Sequence, residues 1–218
     1  MIKFFQKLKA KKGFTLVELI VVIAIIGVLA AILVPTMLNY VTSSRVTSVD
    51  STAASIKNNI DTFLTNCDTA GYGMLKGTNN TAKLDINIAN GQWTVTFNNA
   101  AGGVAAFKTG AGKTWNAAGS AVSADTPKAG VTNPVNLLGI ELADLFPEVE
   151  TGHIGAALVG GKCVAVYYTP DDTSSDSQLD AILVSTGWSS DVCSWDGSTA
   201  GVSSNGRIIG TAPKLPIG

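Results

Sequence analysis

Charge is scarce in this 218-residue chain, where Asp, Glu, Lys and Arg together make up 14% of the residues and aromatics only 7%. A single histidine, His153, excludes any metal site built on a pair of imidazoles, and no Gly-x-Ser-x-Gly nucleophile elbow occurs. The acids are scattered and read as surface solvation. No catalytic residue, metal site or cofactor is therefore expected, and the chain reads as something other than an enzyme. Three cysteines are an odd number, so at most one intrachain disulfide can form. Basic residues are few and unevenly placed: five of the fifteen, Lys3, Lys7, Lys9, Lys11 and Lys12, precede Gly13. From Phe14 onward ten basic residues face sixteen acidic ones, a formal net charge of -6. That balance argues against broad binding to nucleic acid, which depends on neutralising phosphates with Lys and Arg.

What the chain has instead is apolar sequence, 46% of it by composition, concentrated near one end. Residues 16–38 are interrupted only by Glu18 and Thr36, and Glu18 is the sole charge between Phe14 and Arg45. At about 1.5 Å per helical residue this run is long enough to cross a hydrocarbon core roughly 30 Å thick. The five lysines ahead of it keep the N-terminus cytoplasmic by the positive-inside tendency, with the remainder of the chain outside. A secretory signal peptide would need small residues at a cleavage site after the apolar core, and the Ala30-Ala31 neighbourhood supplies a poor one.

The decisive string is Lys11-Lys12-Gly13-Phe14-Thr15-Leu16-Val17-Glu18-Leu19-Ile20. A carboxylate placed just inside an apolar run is costly, roughly 3 kcal/mol for an acid at the centre of a membrane helix, and marks function by default. The string resembles the class III leader of type IV prepilins and their pseudopilin relatives. The resemblance is close over residues 1 to about 40 and only architectural beyond. It implies that a membrane-embedded prepilin peptidase cuts between Gly13 and Phe14, on the cytoplasmic side, and methylates the new N-terminal Phe14. It also implies that Glu18 of one subunit lies near the Phe14 amine of a neighbour in a filament, two charges that offset one another only when paired. Gly13, without a side chain, lets an extended backbone approach the peptidase closely. Gly27 and Pro35 interrupt the same helix, and the proline predicts a kink or a locally unwound stretch near Val34. Related filaments extend this segment, and the two residues are expected to permit that.

Beyond Asn39 the composition turns polar, yet Val46, Val49, Ala53, Ile56, Ile60, Phe63 and Cys67 recur at spacings of three and four. This is an amphipathic helix. Leu84-Asp85-Ile86-Asn87-Ile88 and Gln92-Trp93-Thr94-Val95-Thr96-Phe97 alternate as strands around an Asn90-Gly91 turn. Residues 154–159 and 162–168 form a second hairpin on Gly160-Gly161. Residues 181–185 read as another strand and Arg207-Ile208-Ile209 as a short one. Residues 98–134, poor in bulky apolar side chains, read as an irregular surface loop, and Leu137 to Leu145 as a short helix stopped by Pro147. The expected fold is α+β and pilin-like: one long N-terminal helix, half transmembrane and half amphipathic, packed on an antiparallel sheet. The expected parts are a leader at 1–13, a transmembrane and assembly half-helix at 14–38, an amphipathic half-helix at 39–67 and an extracellular β-rich head at 68–218.

The resemblance also makes Cys163 and Cys193 a candidate disulfide, since many pilins bound a terminal loop with a cystine. Closing it would stabilise by about 3 to 4 kcal/mol on the chain-entropy estimate. Pairing of Cys67 with either of these, or no disulfide, stays open; the helix stripe favours Cys67 as a buried free thiol. Asp171, Asp172 and Asp176 sit in an acidic string that offers oxygen ligands for calcium but lacks the spacing of an EF-hand. A solvated turn is the simpler reading. The function implied is that of a structural filament subunit, membrane-anchored first and then exposed on the cell surface. Its implied partners are like subunits, the prepilin peptidase and methyltransferase, a membrane assembly platform and, before assembly, the lipid bilayer. The alternatives are a pseudopilin of a secretion or competence system, or a single-span anchored binding module.

Overall fold

The computed structural model of the chain describes residues 14–97, 103–170 and 208–213. Its elements run α1 (Leu16–Thr69), β1 (Thr81–Ala89), β2 (Gln92–Phe97), a 3-10 turn (Gly103–Ala106), α2 (Pro134–Leu145), β3 (Gly152–Val159), β4 (Lys162–Pro170) and β5 (Gly210–Ala212). By contacts the chain divides into two units, Met1–Ser44 and Arg45–Gly218. In the first, every described side chain from Phe14 to Val41 is exposed, the helix carrying an uncovered apolar surface.

The second unit is an α+β domain. The stripe read from the sequence turns inward: Val46, Ala53, Ile56, Ile60, Phe63, Leu64 and Cys67 are buried, with Val49 packed against them. They face a five-stranded antiparallel sheet of order β2-β1-β3-β4-β5. Alternate residues of each strand meet the stripe, with Leu84, Ile86 and Ile88 of β1 beside Ile154, Ala156 and Leu158 of β3, and β3 is buried on its other face as well. Both hairpins form at the predicted turns. Asn90 and Gly91 adopt φ of 52° and 70°, and Gly160 and Gly161 adopt 57° and 93°, the left-handed pair that fits the twist of adjoining strands. Two α1 carboxylates accept bonds from strand amides. Asp61 Oδ1 takes the Cys163 N–H of β4 at 2.5 Å and Asp50 Oδ1 takes the Thr211 N–H of β5 at 3.0 Å. The helix is thereby held by charge-assisted bonds as well as by its stripe.

Three expectations are corrected. Residues 103–134 are irregular and mostly exposed, as read, but they are not only a surface loop: Phe107, Trp115 and Val122 are buried anchors. Trp115 stacks on Phe107 at 4.1 Å between centroids, meets Phe97 and the Phe63 edge, and donates its indole N–H to Tyr72 O at 2.7 Å. The same stretch covers the outer edge of β2, with Trp93 N–H bonded to Val122 O at 2.7 Å and Phe97 N–H to Ala117 O at 2.7 Å. An edge that would otherwise offer unpaired amides is closed. The short strand expected at Arg207-Ile208-Ile209 lies instead at Gly210–Ala212. A Cβ at Gly210 would overlap the Val49 carbonyl, so glycine is what lets a strand run against α1 there. Finally, α1 is continuous through Pro35, so of the kink or locally unwound stretch expected near Val34, the unwound stretch does not form. A proline removes one backbone bond, and Thr36 Oγ1, donating to Leu33 O at 2.9 Å, adds one in the same turn.

The short helix is confirmed and starts earlier than read, at Pro134. Asn133 caps it, its Oδ1 accepting from Val135 N at 3.2 Å, with the proline at the first turn where its missing N–H costs nothing. The strand read at 181–185 lies outside the described residues.

Candidate functional site

The start of α1 is built on the four residues Thr15-Leu16-Val17-Glu18. Glu18 Oε2 accepts from both Thr15 N at 2.9 Å and Thr15 Oγ1 at 2.7 Å, and Glu18 N donates back to Thr15 Oγ1 at 3.2 Å. This is a reciprocal capping box, which satisfies amides that a helix start leaves without partners. The acid also complements the positive end of the helix. One carboxylate oxygen is thus engaged within the chain, while among the described residues Oε1 accepts no hydrogen bond. The Thr-x-x-Glu spacing was legible in the sequence as a capping signal, and Thr15 is the residue that a reading focused on the isolated charge passed over.

Phe14 stands immediately before this box and is 78% exposed. Gly13 lies outside the described residues. Gly27 faces open space, for a Cβ there would meet nothing within 4 Å, and Pro35 sits inside the continuous helix. Glu18, Gly27 and Pro35 therefore share one exposed apolar helix, with Phe14 just ahead of its capped start.

The remaining candidates stand apart from it. Cys67 and Cys163 are both buried free thiols. Burial pushes Cys67 up to about 12 and Cys163 higher still, so each is held as a protonated, unreactive thiol. Cys163 donates its S–H to Ala165 O at 3.7 Å. Its candidate partner Cys193, and the candidate calcium ligands Asp171, Asp172 and Asp176, lie outside the described residues. His153 is buried on β3, with Nε2 3.7 Å from Asp85 Oδ1 and its ring 5.8 Å from that of Tyr167. At the C-terminal end of α1, Asp68 is flanked by Lys76 Nζ at 3.1 Å and Lys108 Nζ at 3.5 Å, and the Lys76 bond above all keeps its carboxyl below the usual range.

A capped helix long and apolar enough to cross a membrane, followed in the chain by an α+β domain, is the make-up of an assembly subunit that starts from a membrane-anchored precursor. The comparisons make this specific. Residues 8–34 match the prokaryotic N-terminal methylation motif. The chain is 36% identical over 138 residues to fimbrial protein Q of Moraxella bovis, a match covering 61% of this chain and 85% of that protein. It is 47% identical over 57 residues to the type IV major alpha-pilin of Moraxella bovis, and 48% identical over 54 residues to the type IV major fimbrial protein FimA of Dichelobacter nodosus. These two matches take in 26% and 25% of this chain, and only 36% and 35% of the relatives. No solved structure matches the chain. The chain belongs to the type IV pilin family.

Proposed function

We propose that the chain is a structural subunit of a type IV pilus, processed between Gly13 and Phe14, methylated at Phe14 and polymerised through α1. The observation that carries this reading is the pairing of an uncovered apolar helix with an acid at its capped start. Side chains such as Leu19, Ile23, Ile26, Ile32 and Leu33 are half or more exposed. Leaving them in water would forgo roughly 1.5–3 kcal/mol for each that can be fully buried. Lipid covers them in the precursor, and the helices of like subunits cover them in the filament. Residues 14–38 thus serve as anchor and then as assembly surface, 39–67 as the helix of the head and 68–218 as its extracellular remainder.

Glu18 sets the register. Its Oε2 stays with Thr15, and its Oε1 receives the methylated Phe14 amine of a neighbouring subunit. Two charges that would each be costly in an apolar medium offset one another there. Gly27 and Pro35 leave the helix free to extend when it leaves the bilayer. In this scheme the chain is a substrate for the prepilin peptidase and methyltransferase rather than a catalyst, and it docks to a membrane assembly platform. The orientation puts the N-terminus in the cytoplasm before assembly. The names of the relatives favour a pilus over a secretion pseudopilus. Shearing cells that carry Glu18→Ala tests the pairing: filament recovery should collapse, because an amine buried without its partner costs about 3–5 kcal/mol per contact. Undiminished recovery would refute it.

A further inference from the structure

The head has a cleft lined by none of residues 14–38, the half of α1 proposed as the assembly surface. It measures about 230 Å³ and opens between Asn59 and Thr62 of α1 and the α2 residues Leu138, Glu141, Leu142 and Leu145. Its floor is apolar, and Leu145 at its rim is 54% exposed, unusual in this unit for so large an apolar side chain. Its polar wall is acidic. Glu141 forms no ion pair or hydrogen bond among the described residues, and burial raises its pKa. Asp144, beside it, has one partner, Lys128 at 3.6 Å. The wall therefore holds two carboxylates and one ammonium, a deficit of one positive charge.

Two exposed cations of the head lack an ion pair among the described residues, Arg45 and Lys162. Arg45 is the better fit. Its planar fork binds carboxylates in a bidentate way and is less strongly hydrated than an ammonium, and its stem can lie along an apolar floor. It also follows directly on the apolar helix surface through which copies are proposed to pack. Arg45 cannot reach the cleft of its own chain. It precedes Asn59 by fourteen helical residues and Thr62 by seventeen, an axial separation of about 21–26 Å.

We propose that the α1–α2 cleft is the socket for Arg45 of a second copy of this chain. The inference rests on the filament reading given above and adds to it a contact between heads. Copies that run parallel, as the filament reading has them, cannot exchange the contact reciprocally when donor and socket lie at different heights, so the contact is heterologous. It propagates along a filament instead of closing a dimer. A subunit of formal net charge -6 after processing gains from it a neutralising cross-contact at a place where like charges would otherwise face one another.

The test is cysteine pairing in sheared filaments. A chain carrying both Arg45→Cys and Glu141→Cys should give, on mild oxidation, a non-reducing ladder of dimers and higher multimers that neither single substitution produces. Filaments of that variant without a ladder would overturn the proposal and leave the pilin reading intact. So would an equal ladder from Lys162→Cys with Glu141→Cys. If the cysteine variant does not assemble, charge reversal decides. Arg45→Glu and Glu141→Arg alone should each lower filament recovery about tenfold, the scale of breaking one close interfacial charge pair. The two together should restore it to within about twofold, and failure of that rescue refutes the contact. Absence of filaments from the unaltered chain would instead overturn the pilin reading, and the proposal with it.

Discussion

Replacing Gly210 by alanine probes the junction that ties the helix to the sheet. A Cβ there would overlap the Val49 carbonyl and lie 2.6 Å from Asp50 N, all of it α1 backbone that no rotamer change can move. Either β5 shifts away from the helix or the helix deforms. Overpacking of this kind costs about 1–3 kcal/mol. A shift of β5 also stretches the bond from Thr211 N to Asp50 Oδ1, now 3.0 Å, and a hydrogen bond to a charged group contributes about 1.5–3 kcal/mol. The sum, about 2.5–6 kcal/mol, is a large fraction of the roughly 5–15 kcal/mol that holds a domain together. At about 2–4 °C per kcal/mol for a chain of this size, thermal unfolding of the detergent-solubilised subunit should fall by about 5–24 °C. The matched control is Gly27→Ala, where a Cβ meets nothing within 4 Å in the subunit. If Gly210→Ala unfolds within about 2 °C of the control, the close approach of β5 to α1 is wrong.

Two further substitutions address the head. Trp115→Ala removes a buried ring, its stack on Phe107 and its bond to Tyr72 O, and should destabilise by about 3–5 kcal/mol in denaturant titration; a neutral result would contradict the anchoring of residues 103–134 through that ring. Glu141→Gln should act oppositely on subunit and filament. Because burial holds the Glu141 pKa above its unfolded value, ionisation opposes folding at neutral pH, and that cost disappears as the pH falls through the raised pKa. The glutamine subunit should therefore melt higher than the unaltered one near pH 7, with the gap closing on acidification, while its filaments become weaker. A gap that widens in acid would contradict the assignment.

How far the sequence could be read differs from element to element. The hairpin turns were legible because Asn90-Gly91 and Gly160-Gly161 are local signals, satisfied by backbone geometry alone. The helix stripe was legible because its period is 3.6 whatever it packs against. The burial of Phe107, Trp115 and Val122 was not, since three large side chains spread among glycines and alanines have no period, and their place depends on Phe63 and Phe97, distant in sequence. The position of β5 was hidden for a similar reason. Ile208 and Ile209 carry the stronger strand propensity, but contact with Val49 of α1 selects the glycine that follows them. At the N-terminus the local motif singled out Phe14 and Glu18 directly, and the capping partner Thr15 was equally local.

The central claim is that a peptidase frees Phe14 and that α1 then joins a filament. Intact-mass and N-terminal peptide spectrometry of sheared surface filaments tests it most directly. The account predicts a chain beginning at Phe14 and carrying one N-methyl group, with residues 1–13 gone. A surface protein that still begins at Met1, or one cut after the apolar segment, would contradict it.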